Sequence, residues 1–162
     1  MTLSRRTRGI TLTAAVLAGA GSLFVTVPAS AGDHHPLRLT TVAVPDRNTD
    51  LDLGAPGPSA GDTQVFLDDL QRKGRTVGNS AGSCTLTLVS ETRLVGACTA
   101  TLMLPEGTIT TQGVFDEDPS AGPTGFVWAV TGGTGRYADA GGEVVGTFRP
   151  GTDIVDLEVD LH

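Results

Sequence analysis

The sequence predicts an all-β fold, in which eight antiparallel strands close into an up-and-down barrel with one long loop after the first strand. Three observations carry that expectation. After residue 31 no stretch repeats its apolar residues at helical spacing, whereas β-branched and alternating runs recur between Gly, Pro, Asn and Asp clusters. About eight such runs follow one another with short connections, a meander rather than the helix-linked order of a parallel sheet. Closure removes the exposed edges of a meander, and a barrel of about eight strands has a lumen that side chains fill or that one small ligand occupies.

Residues 1–31 precede the barrel and read as an export signal. Arg5, Arg6 and Arg8 make a basic start, Ile10 to Val27 is a run of small and apolar residues, and Pro28-Ala-Ser-Ala31 ends in A-x-A form. Cleavage is expected after Ala31, leaving a protein secreted to the extracellular side. Ser4-Arg5-Arg6 fits a twin-arginine signal as well as the general route, so both remain open. The mature chain would have 131 residues, with 32–36 a flexible N-terminus and 37–162 a single domain. It keeps all 18 acidic residues but eight of the 11 basic ones, a net charge of −10. That balance argues against a nucleic-acid partner, because phosphate binding needs clustered Lys and Arg.

The strands are read in order as follows. Leu37 to Val44 is rich in β-branched residues and opens the domain. Pro45 to Ala60 is dense in Pro, Gly, Asp and Asn and reads as the long loop. Asp62 to Arg72 and Arg75 to Val89 flank a Lys73-Gly74 turn, with Gly78 and Gly82 marking bulges or bends. Arg93 to Leu104, Thr108 to Phe115, Phe126 to Thr131 and Glu143 to Arg149 follow, separated by turns at Pro105-Glu-Gly107, Pro119 to Pro123 and Gly132 to Gly142. Ile154 to Leu161 ends the set and alternates cleanly, with Val155, Leu157, Val159 and Leu161 on one face and Asp156, Glu158 and Asp160 on the other.

Cys84 and Cys98 are the only cysteines. Folding the chain at Glu91 sets Leu88 against Leu94, Leu86 against Gly96 and Cys84 against Cys98. Directly opposed residues lie close enough for a disulfide, and an exported protein meets an oxidising compartment.

Several candidates for chemistry stand out. Asp68-Asp69 lies mid-strand, so its carboxylates point to opposite faces, and one entering the lumen would suit acid catalysis. Asp116-Glu-Asp118 has the charge for calcium, although three acids beside Pro119 read more simply as an exposed turn. Phe126, Trp128 and Val130 share a face, as core or lumen lining. The three histidines, 34, 35 and 162, sit at the mature termini, so no Ser–His–Asp set or zinc spacing exists. A free Gly32-Asp33-His34 terminus would offer an amine, two amide nitrogens and an imidazole, a square-planar donor set for Cu(II) or Ni(II). No functional metal or cofactor is expected.

Gly133-Thr-Gly135-Arg-Tyr-Ala138 fits the dinucleotide fingerprint G-x-G-x-x-[GA]. The fingerprint acts only where a strand turns into a helix whose N-terminus holds the pyrophosphate. Here Gly141-Gly142 stops any helix after one turn, so no nucleotide is expected. The stretch reads as a tight corner closing one barrel end, with Arg136 and Tyr137 nearest its mouth.

That same stretch carries a family resemblance. Gly132-Gly-Thr-Gly135, Tyr137, Ala140 and Gly142 follow the G-G-[ST]-G-x-[FY]-x-x-A-x-G pattern of the allene oxide cyclase and dirigent barrel superfamily. Gly61-Asp62, Phe66 and Leu70, then Val77-Gly78, Ala81-Gly82 and Cys84, resemble the cyclases' second and third strands, and Thr111-Gln-Gly113 a later one. The resemblance covers residues 37–161. It implies an eight-stranded barrel, often a homotrimer, with an apolar lumen that binds a small hydrophobic molecule. An isomerase- or cyclase-type activity would follow, guiding cyclisation or stereoselective coupling, with Phe126, Trp128 and Tyr137 in the pocket and Asp68, Asp69 or Arg136 as catalytic candidates. Dirigent proteins read A-R-G where this chain has Ala140-Gly-Gly142, so the usual arginine is missing unless Arg136 replaces it. The plant cyclases' first-strand glutamate and asparagine have no counterpart in Thr40-Thr-Val-Ala-Val44, while Cys84 matches their pocket cysteine. The rival expectation is a non-catalytic secreted binding or interaction protein whose barrel is filled by side chains.

Overall fold

A computed structural model describes residues 36–162. Residues 1–31 and the Gly32-Asp33-His34 motif therefore lie outside the described residues. Strands β1 (Leu37–Val42), β2 (Thr49–Leu51), β3 (Thr63–Arg72), β4 (Arg75–Val89), β5 (Leu94–Leu104), β6 (Gly107–Glu117), β7 (Gly125–Gly133), β8 (Gly142–Phe148) and β9 (Ile154–Leu161) are all antiparallel to their neighbours. Each of β3 to β8 pairs with the next in sequence, and β1 closes the ring by pairing with both β9 and β3. The result is the expected eight-stranded barrel with one extra strand, β2, on its rim.

The extra strand comes from the segment read as a long loop. β1 pairs with β3 at Thr40–Val42, and β2 resumes pairing with the same strand at Thr49–Leu51. A 3-10 turn at Pro45–Arg47 bulges out between them. Asn48 bridges the gap, its Oδ1 accepting the Leu67 amide at 3.1 Å. Composition marks this segment as a loop, yet β3 offers an unpaired ladder that it completes.

The β3–β4 hairpin turns at Lys73-Gly74, both left-handed (φ 52° and 73°), the geometry of a tight two-residue turn. The bulge beside it is at Val77, next to Gly78. In the β4–β5 hairpin Cys84 faces Cys98 and Leu86 faces Gly96 as expected, but Leu88 meets Val95 rather than Leu94. Thr87 is the extra residue of a bulge, its hydroxyl donating to the Val95 carbonyl. The cysteines are joined as a disulfide.

Alternation sends one face of every strand inward. At one end these side chains form a dense aliphatic cluster that includes Leu39, Leu70, Leu102, Ile109, Leu157 and Val159. The Gly132–Gly142 corner closes this end. It contains only a 3-10 turn, Gly135–Tyr137, so no helix opens there to hold a pyrophosphate. Its backbone is tied to the β5–β6 turn by Arg136 N–H donating to the Glu106 carbonyl (2.9 Å) and Thr134 N–H to that of Thr108 (2.9 Å). Tyr137 drops from the corner into the aliphatic cluster and is buried.

Candidate functional site

The other end of the barrel is hollow. A cavity of about 920 Å³ runs from a floor at mid-barrel to a mouth framed by the loops around Pro58, Pro123 and Thr152. That volume lies in the range of small-molecule sites.

Four aromatic rings form the walls, and each is seated over a glycine of the adjacent strand. Phe66 lies over Gly82, Phe115 over Gly96, Trp128 over Gly113 and Phe126 over Gly146. Three of these are directly opposed cross-strand pairs. At Gly96, Gly113 and Gly146 the three atoms that a Cβ would meet first all belong to the facing aromatic side chain. Without it, each ring lies flat against the wall instead of projecting across the lumen, a known way of covering a strand glycine. Phe126 and Trp128 stack at 4.1 Å. Laying the indole down carries a cost, because Trp128 Nε1 is buried with no hydrogen-bond partner. The disulfide completes this wall, packed with Trp128 and Phe66.

The floor is polar. Thr41, Ser80 and Thr111 are buried there, and Asp68, directly opposite Ser80, also lines the cavity. Asn48 Nδ2 donates to Asp68 Oδ1 at 2.9 Å, so one asparagine side chain fixes both the carboxylate and the β3 backbone. Asp69 points the opposite way, accepting from Arg47 Nη2 (2.6 Å) and Asn79 Nδ2 (3.2 Å).

The acidic run 116–118 splits three ways. Asp116 faces out and takes a two-pronged bond from Arg93 (2.8 and 2.6 Å), which holds its carboxyl below the usual range. Asp118 accepts from the Ser120 hydroxyl and amide, which lowers it likewise. Glu117 faces in, near the mouth, and burial pushes its carboxyl up with no cation or hydrogen bond to offset it. The first two acids belong to β6 rather than to a turn, and the three do not converge on a calcium site. Among the described residues no group of three His, Cys, Asp or Glu side chains could hold a metal ion.

The expected site residues thus separate. Phe126, Trp128, Asp68 and Cys84 line the cavity, while Tyr137 lies within the aliphatic cluster at the opposite end and Arg136 on the far side of it. Position 141 does not face the lumen either, since a Cβ on Gly141 would meet only His162. Among the described residues no Arg, Lys or His lines the large cavity. Sequence reasoning weighed Glu117 only as part of the acidic run 116–118, not as a cavity residue, and passed over Asn48. Continuing the alternation Ile109, Thr111, Gly113, Phe115 by one step would have found Glu117. Nothing local marks Asn48, whose partners are about 20 residues away.

A search of curated proteins returns no match. Among solved structures, a pyocyanin demethylase is 28% identical over 78% of this chain and 98% of its own, with a TM-score of 0.66. An exo-specific intermolecular Diels–Alderase (19% identity, 80% and 98% coverage, TM-score 0.60) and a pterocarpan synthase dirigent protein (17%, 77% and 90%, 0.56) share the fold. The family model described as the allene oxide cyclase barrel like domain matches residues 40–153. With the closed barrel, its glycine-rich corner and its hollow half in place, that match decides the matter: the chain belongs to the family of allene oxide cyclase barrel-like domains.

Proposed function

We propose that the mature protein is secreted, takes a small hydrophobic molecule into the hollow half of its barrel, and guides its cyclisation or stereoselective coupling. The observation that carries this reading is the cavity itself, with four rings folded back onto glycines so that a largely apolar space, open at the mouth, remains above a floor that holds Thr41, Ser80, Thr111 and Asp68. Such a site restricts the conformers of a flexible or unsaturated ligand and keeps water from a reactive intermediate. Asp68, held by Asn48, anchors a hydroxyl or amine of the ligand at the floor. Glu117, whose proton is retained to higher pH by burial, serves as the proton donor near the mouth. The similarity to a demethylase, Diels–Alderases and a dirigent protein fits an enzymatic barrel.

The non-catalytic reading is also supported by one observation: among the described residues no cation lines the cavity, so none of them stands ready as a charged donor to stabilise a developing anion. Product analysis separates the two. A coupling or cyclisation whose product is racemic without protein should give an excess of one stereoisomer in its presence, reduced at least tenfold in Asp68→Asn or Glu117→Gln. Saturable binding with an unchanged racemic product assigns the protein to the binding class. Export rests on the N-terminal pattern, and the Cys84–Cys98 disulfide is consistent with an oxidising, extracellular compartment. Intact mass of protein from culture medium should start at Gly32.

A further inference from the structure

The filled end of the barrel carries a second cleft, separated from the lumen by the aliphatic cluster. It measures about 930 Å³ and lies between β1, the C-terminal ends of β3 and β9, and the Gly135–Tyr137 turn. Its base is apolar, made by Leu37, Leu39, Val159 and Leu161. Its rim is cationic: Arg38, Arg72, Lys73 and Arg136 all line it, against one carboxylate, Glu106. That is half of the eight basic residues in 36–162, gathered on a chain whose net charge is −7.

The pairing pattern sharpens the point. Among the described residues five arginines are in ion pairs: Arg38 with Glu158, Arg47 with Asp69, Arg72 with Glu106, Arg93 with Asp116 and Arg149 with Asp156. Three bases have no such partner, Lys73, Arg75 and Arg136, and two of them stand on this rim. Glu106 offsets only part of this charge, since its one ion pair among the described residues is with Arg72 at 3.3 Å. Arg136 does reach into the cleft electrostatically. The Glu106 carboxyl is held below its ordinary range first by its own backbone amide, then by Arg72, and also by the charge of Arg136.

We propose that this cleft is a binding site for an amphiphilic carboxylate, its aliphatic body against Leu37, Leu39, Val159 and Leu161 and its carboxylate between Lys73 and Arg136. The site is independent of whatever occupies the lumen. An apolar base alone would take neutral alkanes or alcohols, and a cationic rim alone would take inorganic anions. Only a ligand with both parts uses both features, and a carboxylate shared by two cations gains charge-assisted hydrogen bonds. A mouth-side ligand cannot reach it through the barrel, because Leu70, Ile109 and Val159 are fully buried in between.

The test is a titration of isotope-labelled protein with sodium octanoate, 1-octanol and inorganic phosphate at fixed ionic strength, read from backbone amide shifts. Octanoate should saturate shifts at Leu37 to Thr40, Arg72 to Gly74 and Arg136 to Tyr137. Octanol should bind there at least tenfold more weakly, and phosphate should leave these amides unmoved. The double variant Lys73→Asn, Arg136→Gln should lose at least tenfold in octanoate affinity. Both side chains are exposed and Asn tolerates the left-handed backbone at 73, so the fold should survive, as unchanged amide positions at Phe66 and Phe115 would verify. Octanoate shifts confined to the lumen would overturn the proposal. So would undiminished affinity in the folded double variant, equal binding of octanol, or equal binding of phosphate.

Discussion

The two halves of the lumen are built by the same strands with the same inward alternation, yet one is solid and the other hollow. β5 shows the contrast within one element: Leu102 and Leu104 face the filled half, Ala100, Cys98 and Gly96 the open one. β8 repeats it, with Val144 buried in the aliphatic cluster and Gly146 serving as a seat for Phe126. Strand number therefore does not decide whether a barrel of this size has a cavity. In the filled half, branched aliphatics project to the axis and meet. In the hollow half, the large side chains are planar and opposed by glycine, so they lie along the wall. Packing density sets stability at one end, and the aromatic–glycine pairs set capacity at the other.

Substitutions should separate those two roles. The largest effect is expected in the filled half. Ile109→Ala or Leu70→Ala removes a fully buried side chain and should cost about 2–5 kcal/mol in urea unfolding. Next comes the disulfide on the lumen wall. It closes a 15-residue loop, and replacing both cysteines by serine should cost about 3 kcal/mol, an effect that reductant should reproduce in the wild type. Gly96→Ala should be milder for stability, about 1–3 kcal/mol, because the Phe115 ring has open lumen to move into. Its main consequence should be a smaller cavity.

Acid should sharpen the contrast with a smaller effect. Asp62 staples the mouth loop, accepting from the amides of Leu53 (2.9 Å), Ser59 (2.7 Å) and Gly54 (3.3 Å), and these bonds hold its carboxyl below the usual range. A depressed carboxyl stabilises the fold above its unfolded pKa, and that contribution is lost as pH falls through the depressed one. Below about pH 3.9, the ordinary aspartate value, the protection factors of the Leu53, Gly54 and Ser59 amides, taken relative to intrinsic exchange at each pH, should fall while those of Leu70 and Ile109 hold. Glu117 runs the other way. Its raised pKa favours the fold below the ordinary glutamate value and less so as pH rises through the raised one, so Glu117→Gln should slightly stabilise the protein at neutral pH.

Much of this architecture was legible in the residues. The eight barrel strands followed from alternation and turn chemistry, and the Cys84–Cys98 pairing from placing the hairpin turn near Glu91. The Gly132–Gly142 stretch read correctly as a corner because two glycines stop any helix there. What escaped depended on contacts distant in sequence or on local irregularity. β2 forms because β3 has ladder to spare, the Thr87 bulge shifts the hairpin register by one, and Asn48 meets Asp68 across a loop. The depth of Tyr137 was also hidden, since the corner's spacing does not say which barrel end is hollow.

The central claim is that the aromatic–glycine half holds an apolar ligand and the aliphatic half contributes no more than the floor beneath it, through Leu102, Val144 and Leu157. Trp128, the single tryptophan, lines that cavity and reports on it. A fluorescence titration with a neutral alkylphenol should show saturable binding to the wild type. Affinity should fall at least tenfold in Gly96→Ala, where Phe115 is pushed inward, and stay within twofold in Ile109→Ala despite its lower stability. An unresponsive wild type, or equal loss in both variants, would contradict the account.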